Sequence, residues 1–322
     1  MVSLLCQMWA RAASGSRSEV APQKQRSPPR ARGRGNVSAA MVGESSARAG
    51  EGELGFHKYE GLGNDFVVVD AERADAVSIA RARELCDRRL GVGADGVLLV
   101  LPPTTPSADA RMVVINADGS IPEMCGNGLR CVAIHVARQR GLAEGSLTFD
   151  TDAGVKPCAI DDASGRGLVT VDMGPVRWVE DVRLDLDGDA WELALADAGN
   201  PHAITRRTAS WAEIERVGPR VEKHPRFAAG TNVEFAVMRS PTEIDLVVWE
   251  RGCGITQACG TGACATVAVA VTKGWSPADM DVAVKLPGGV LQIRIDPRGH
   301  AIMRGPARHV FTGRAPRAER AG

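Results

Sequence analysis

One set of motifs occurs twice in this chain, so any fold it adopts must accommodate two related halves. The first half reads GLGND (61–65), GVGADG (91–96) and VINADGSIPEMCGNG (114–128). The second reads AGNPH (198–202), GTNVEF (230–235) and VWERGCGITQACGTG (248–262). Asn64 and Asp95 are 31 residues apart, and Asn200 and Asn232 are 32 apart. Asn116 lies nine residues before Cys125, as Glu250 lies nine before Cys259. Two copies are too few for a solenoid, which needs at least about three. Matching order and spacing instead predict a pseudo-two-fold pair of lobes with a shared site between them.

Around these motifs, short β-type runs alternate with a few helical stretches. Phe66–Asp70, Val97–Leu101, Met112–Ile115, Val233–Met238, Ile244–Trp249 and Val290–Ile295 are rich in Val and Ile and bounded by Gly, Asn, Asp or Pro. Helices are expected over Ser78–Arg89, 126–139, Trp211–Val217 and Thr261–Lys273. In the second of these, Leu129, Val132, Ala133 and Val136 recur at helical spacing. The class is α+β. GVGADG fits the dinucleotide pattern GxGxxG, but a strand follows it where that fingerprint requires a helix, so the reading is rejected.

Residues 1–52 have another character. The first forty carry seven basic side chains against one acid, Glu19, in a background of Ser, Pro, Gly and Ala. Such a segment buries too little apolar surface to offset its ordering entropy and is expected to be disordered. It reads either as an organelle transit peptide or as an over-extended start with Met41 as an internal alternative. The expected organisation is an extension at 1–52, lobes at 53–175 and 176–314, and a flexible tail at 315–322. Net charge is +0, so nothing steers the whole molecule toward nucleic acid or an acidic membrane. Aromatics at 4% are too scarce for a base-stacking platform, and no apolar run reaches the ~18 residues of a membrane span.

The chemistry lies in the cysteines. Taken singly, a cysteine is a small buried apolar residue, and Cys86, Cys131, Cys158, Cys253 and Cys264 are read that way. Cys125 and Cys259 differ because each opens a Cys-Gly-x-Gly turn at a helix start. That position offers unpaired N–H groups and the positive end of the helix dipole, and the glycines allow backbone to approach a ligand. A carboxylate fits there, and a thiol at its rim has its thiolate favoured. Two such turns in related halves place two thiols on opposite sides of one bound anion. One, as thiolate, can remove an α-proton while the other, as thiol, protonates the opposite face. No cofactor and no metal are called for by this chemistry.

In GLGNDFVVVD, NADGSIPEMCGNG, GNPH, ERG and QACGTGACA, in that order, the chain resembles the diaminopimelate epimerase family from Phe56 into its C-terminal region. The resemblance implies interconversion of L,L- and meso-2,6-diaminopimelate in lysine and peptidoglycan precursor synthesis. It implies two lobes, each a barrel-like, mostly antiparallel sheet around a central helix, and a homodimer. Cys125 and Cys259 match the catalytic pair. Gly126, Asn127, Gly260 and Thr261 match donors to the reacting carboxylate, and Asn64, Asn116, Asn200, Asn232, Glu250 and Arg251 match the remaining substrate-binding set. His202 and Glu250 match residues that tune the thiols. A cytoplasmic location is implied; a plastid address would follow only if residues 1–52 are a transit peptide. Two departures stand out: Ile255 in GCGITQ where the family carries Glu, and Gly96 where some members carry Gln.

The rival readings are specific. A proline racemase or hydroxyproline epimerase shares the two-cysteine logic but handles a single polar head, leaving Glu250 and Arg251 without a task. A thiolate metal-binding module would use Cys125, Cys131, Cys259 and Cys264. A nucleic-acid binder led by the basic extension conflicts with the neutral net charge.

Overall fold

A computed structural model describes residues 53–316; the extension at 1–52 and residues 317–322 of the expected tail lie outside the described residues. In the first half, β1 (Glu53–Gly61) pairs antiparallel with β2 (Asn64–Asp70). Helix α1 (Ile79–Cys86) leads to β3 (Gly96–Leu101), which lies parallel to β2. β4 (Ala110–Asn116) returns antiparallel, and α2 (Gly126–Gln139) follows. β5 (Gly145–Thr151) runs parallel to β4. β6 (Gly154–Asp162) and β7 (Leu168–Pro175) complete an antiparallel meander.

The second half repeats this scheme. β8 (Arg177–Leu186) pairs antiparallel with β9 (Asp189–Asp197), and β9 with β10 (Pro201–Thr205). α3 (Trp211–Glu222) leads to β11 (Asn232–Ser240), parallel to β10, and β12 (Glu243–Glu250) returns antiparallel. After the two-residue β13 (Gly254–Ile255) comes α4 (Gly260–Thr272). β14 (Val282–Leu286) is parallel to β12, and β15 (Gly289–Ile295) and β16 (His300–Pro306) close the meander. β7 and β16, the last strands of the two meanders, pair antiparallel and join the lobes. β17 (Arg308–Pro316) departs from a linear division of the chain, because it pairs antiparallel with β1 of the first lobe. It does for β1 what β8 does for β9.

Burial explains why these segments adopt these roles. All six residues of β3 are buried, as expected of a strand covered on both faces. In α4 every residue from Gly262 to Ala270 is buried, as in α2 every residue from Gly126 to Ala137, so each helix is the core of its lobe. A smaller apolar cluster packs α1 outside β2–β4, and another packs α3 outside β9–β12.

Three expectations are corrected. α1 stops at Cys86, not Arg89, because the Asp87 carboxylate accepts from the N–H groups of Arg89 and Leu90 and folds them into a turn. α3 continues past Val217 to Glu222 despite Pro219, since Val217 and Val221 are both buried on its inner face. Ala315 and Pro316, placed in the tail, end β17, where Ala315 is buried opposite Leu54.

Candidate active site

The local sequence dictates the two turns. Cys125 is the N-cap of α2 and Cys259 that of α4, both with extended backbone. Each sulfur accepts the third N–H of its helix, from Gly128 and Gly262 respectively, at 3.4 Å. A side chain at Gly262 would meet the Glu234 carboxylate at 2.8 Å, and one at Gly128 would meet Leu98 at 3.0 Å. The turns must therefore be glycine for the sulfur to sit against the helix start.

The turns also face each other. Asn127, buried at the start of α2, donates from Nδ2 to the carbonyl of Ala258, the residue before Cys259, at 3.0 Å. The same nitrogen donates to Asn64 Oδ1 at 3.2 Å. Met303 of β16 lies under both turns, close to Gly126 and to Gly260. Arg130, fully buried one turn into α2, donates to Asn127 Oδ1 at 2.9 Å and to the Pro306 carbonyl at 3.2 Å, fixing the amide that links the halves.

Glu250 bears electrostatically on both sulfurs. It is bonded to the Thr256 hydroxyl and the Cys259 thiol, and burial pushes its carboxyl above the usual range. Burial also pushes both thiols up: for Cys125 the Gly128 N–H and Arg130 oppose it, and for Cys259 Glu250 and Glu234 reinforce it against Thr261 and Gly262. The expectation of a favoured thiolate is thus corrected, because desolvation outweighs the helix-start donors. Around Cys259, His202 Nδ1 bonds Glu234 Oε1 at 2.6 Å with both side chains fully buried, and His202 Nε2 bonds Asn200 Oδ1 at 2.9 Å. Glu234 Oε2 has no hydrogen-bond partner among the described residues.

The other expected residues fall into local groups. Asn64 donates to Asp95 at 2.7 Å. Asn232 donates to the Pro201 carbonyl at 2.9 Å and accepts from the Arg251 N–H at 3.0 Å. The Arg251 guanidinium donates to Ala229, and Asn116 bonds Ser120 within its own loop. Thr261 places its hydroxyl 3.5 Å from the Cys259 sulfur. Cys253, expected to be buried, is exposed, because it follows Arg251 and Gly252 in an exposed turn. Ile255 pairs with Trp249 through β13. Gly96 sits opposite Asn116, where an added side chain would lie 2.9 Å from a backbone carbonyl. The metal reading fails: Cys131 and Cys264 are fully buried inside their helices, and among the described residues no grouping of metal-ligand type includes a cysteine. Glu234 and Arg130 escaped the sequence reading, Glu234 because its strand is apolar on either side of it.

The family profile described as diaminopimelate epimerase matches residues 56–179 and 194–310. The diaminopimelate epimerase of Desulfitobacterium hafniense is 43% identical over 280 residues, covering 80% of this chain and 96% of that protein. That of Synechococcus elongatus is 41% identical, covering 81% and 97%. Among solved structures, a hydroxyproline epimerase from Agrobacterium vitis with bound trans-4-hydroxy-L-proline superposes with a TM-score of 0.65 at 16% identity, over 84% of this chain and 94% of that one. A predicted epimerase from Pseudomonas aeruginosa gives 0.64 at 16% identity, over 83% and 99%. These likenesses are of fold.

Proposed function

The chain belongs to the diaminopimelate epimerase family, and from that premise we propose that it epimerises L,L-2,6-diaminopimelate to the meso form with Cys125 and Cys259 as the two bases. The observation that carries the reading is the Asn127–Ala258 hydrogen bond, which sets the helix start behind one cysteine against the residue preceding the other. A substrate carboxylate received by the N–H groups of Gly126, Asn127, Gly260 and Thr261 presents its α-carbon between the sulfurs. One thiolate takes the α-proton and becomes a thiol. The carbanion, its charge spread onto the carboxylate and stabilised by those donors, takes a proton from the other thiol, which is left as thiolate. Turnover in the reverse direction exchanges the two roles.

Glu250, bonded to the Cys259 thiol, suits the ammonium beside the reacting carbon, and Arg251 suits the carboxylate at the far end of the substrate through a planar two-pronged fork. Asn64, Asn116, Asn200 and Asn232 supply neutral donors and acceptors, and His202 with Glu250 adjusts the thiols. The second polar head separates this reading from the proline racemase one, whose solved relatives share the fold at 16% identity. The product serves lysine and peptidoglycan precursor synthesis in the cytoplasm, the enzyme acting as a homodimer without cofactor; no described helix is long and apolar enough to cross a membrane.

The test is a chiral assay of the purified chain, with no cofactor added, on L,L-diaminopimelate beside L-proline and trans-4-hydroxy-L-proline. In D2O the diaminopimelate product carries α-deuterium from the thiols. Turnover of proline with none of diaminopimelate overturns the substrate assignment, and epimerisation without solvent hydrogen overturns the two-base chemistry.

A further inference from the structure

At the opposite end of α2 from Cys125, four elements bring their imidazoles and a carboxylate together. His57 of β1, Asp70 of β2 and His135 of α2 each offer a ligand atom, and these atoms lie within 4.8 Å of one another. His309 of β17 borders them, its ring 5.9 Å from that of His57. His135 Nε2 already lies 3.0 and 3.1 Å from the two Asp70 oxygens, and the His57 and His135 rings are 4.7 Å apart. Ten residues of helix, about 15 Å, separate the cluster from the cysteine turn, so the proposed epimerisation does not use it.

We propose that His57, Asp70 and His135 form a zinc site at the C-terminal end of α2. Ligand atoms on one tetrahedral zinc lie roughly 3.4 Å apart, from bonds of ~2.0–2.1 Å, so a shift of about an ångström in the exposed Asp70 and half-buried His57 closes the cluster on the ion once the Gln139 amide, 2.8 Å from Asp70 and 3.0 Å from His135 Nε2, swings aside. The second ring nitrogens are already held, as zinc-binding imidazoles require. His57 Nδ1 lies 2.9 Å from the Thr312 hydroxyl, leaving Nε2 for the metal, and His135 Nδ1 lies 3.3 Å from the Tyr59 hydroxyl. The helix C-terminus adds negative partial charge, which works against the nearby cation Arg138, itself bonded to Tyr59. Two imidazoles and one carboxylate select zinc over calcium or magnesium, whose shells are built of oxygen. The ion has a way in, since Asp70 is exposed and His57 only half-buried. Three protein ligands leave the fourth position to water.

Isothermal titration of Zn2+ into the chelator-stripped full chain carrying Cys125→Ala, Cys253→Ala and Cys259→Ala tests this, because that background removes the two paired thiols of the turns and the exposed Cys253. One equivalent is expected to bind. Adding His57→Gln or Asp70→Asn weakens binding by on the order of 100-fold, and Thr312→Val, which removes only the hydroxyl behind His57, by about 10-fold. Circular dichroism confirms the fold of each variant, and Thr312→Val carries the test should a ligand variant unfold. Co2+ in place of zinc gives the strong visible absorption of a four-coordinate site, absent from His57→Gln. No saturable binding in that background, or binding unchanged by His57→Gln and Asp70→Asn, overturns the proposal.

Discussion

The two lobes build the same turn on different foundations. β2–β3 and β10–β11 are equivalent parallel pairs, with Phe66 opposite Gly96 in one and His202 opposite Asn232 in the other. Two residues further along, Leu98 answers to Glu234. Cys125 therefore rests on hydrocarbon, with Phe66 and Leu98 almost wholly buried, whereas Cys259 rests on a buried histidine–carboxylate pair. Glu250, nine residues ahead of Cys259, answers in the same way to Asn116 ahead of Cys125. A symmetric scaffold thus holds two thiols in unlike electrostatic surroundings. That suits the proposed reaction, whose two directions call on opposite sulfurs.

The harshest challenge to this comparison removes the sulfurs themselves. Cys125→Ala and Cys259→Ala are each expected to lower kcat by about 10^4-fold, the upper range for a positioned acid or base, and wild-type-like turnover in either would show that one lobe suffices. Leu98→Ala should act on stability, costing about 3 kcal/mol for a fully buried leucine in chemical denaturation, while the pH profile keeps its position. Glu234→Gln should do the reverse. It takes away a carboxylate that raises the Cys259 thiol, so the thiolate forms more readily and the acidic limb of kcat/KM moves to lower pH, with activity down about 10-fold. An unmoved limb would make the histidine–carboxylate pair merely structural.

The smallest contrast lies away from the sulfurs. In the first lobe Arg111 stands opposite Asp150; at the equivalent register in the second, Asp245 stands opposite Lys285. Against the opposing effect of burial, hydrogen bonds from Thr105 and Thr104 hold the Asp150 carboxyl down to about 2. A depressed carboxyl stabilises the fold above its unfolded value of about 3.9 and ceases to do so as pH falls through about 2. Asp150→Asn should be less stable at pH 7 and lose less stability than the wild type between about pH 4 and pH 2, as followed by denaturant midpoints. Parallel acid curves for the two proteins would remove Asp150 from the account.

How far the sequence could be read depended on how local the cause was. α2 and α4 were visible because Gly-rich starts and apolar faces are local signals, and β3 because both its faces are apolar. β8 was missed: RWVEDVRLDL exposes most of its side chains, so its charges masked a strand defined by its pairing with β9. β17 was missed as well, since its partner lies more than two hundred residues away. The family pattern led to the cysteines and asparagines. It could not lead to Arg130, whose importance comes from what surrounds it in space.

The return of β17 bears on how the molecule is made. When a ribosome has delivered residues 53–175, the first lobe holds seven of its strands, yet β1 still presents an open hydrogen-bonding edge. That edge closes only after the whole second lobe has been synthesised, because Glu53 finds Pro316 and Leu54 finds Ala315. Contacts of such separation slow folding and prolong the exposure of unpaired edges. The first lobe therefore cannot be finished in the order in which it is translated, whereas the second, whose β8 precedes β9, can.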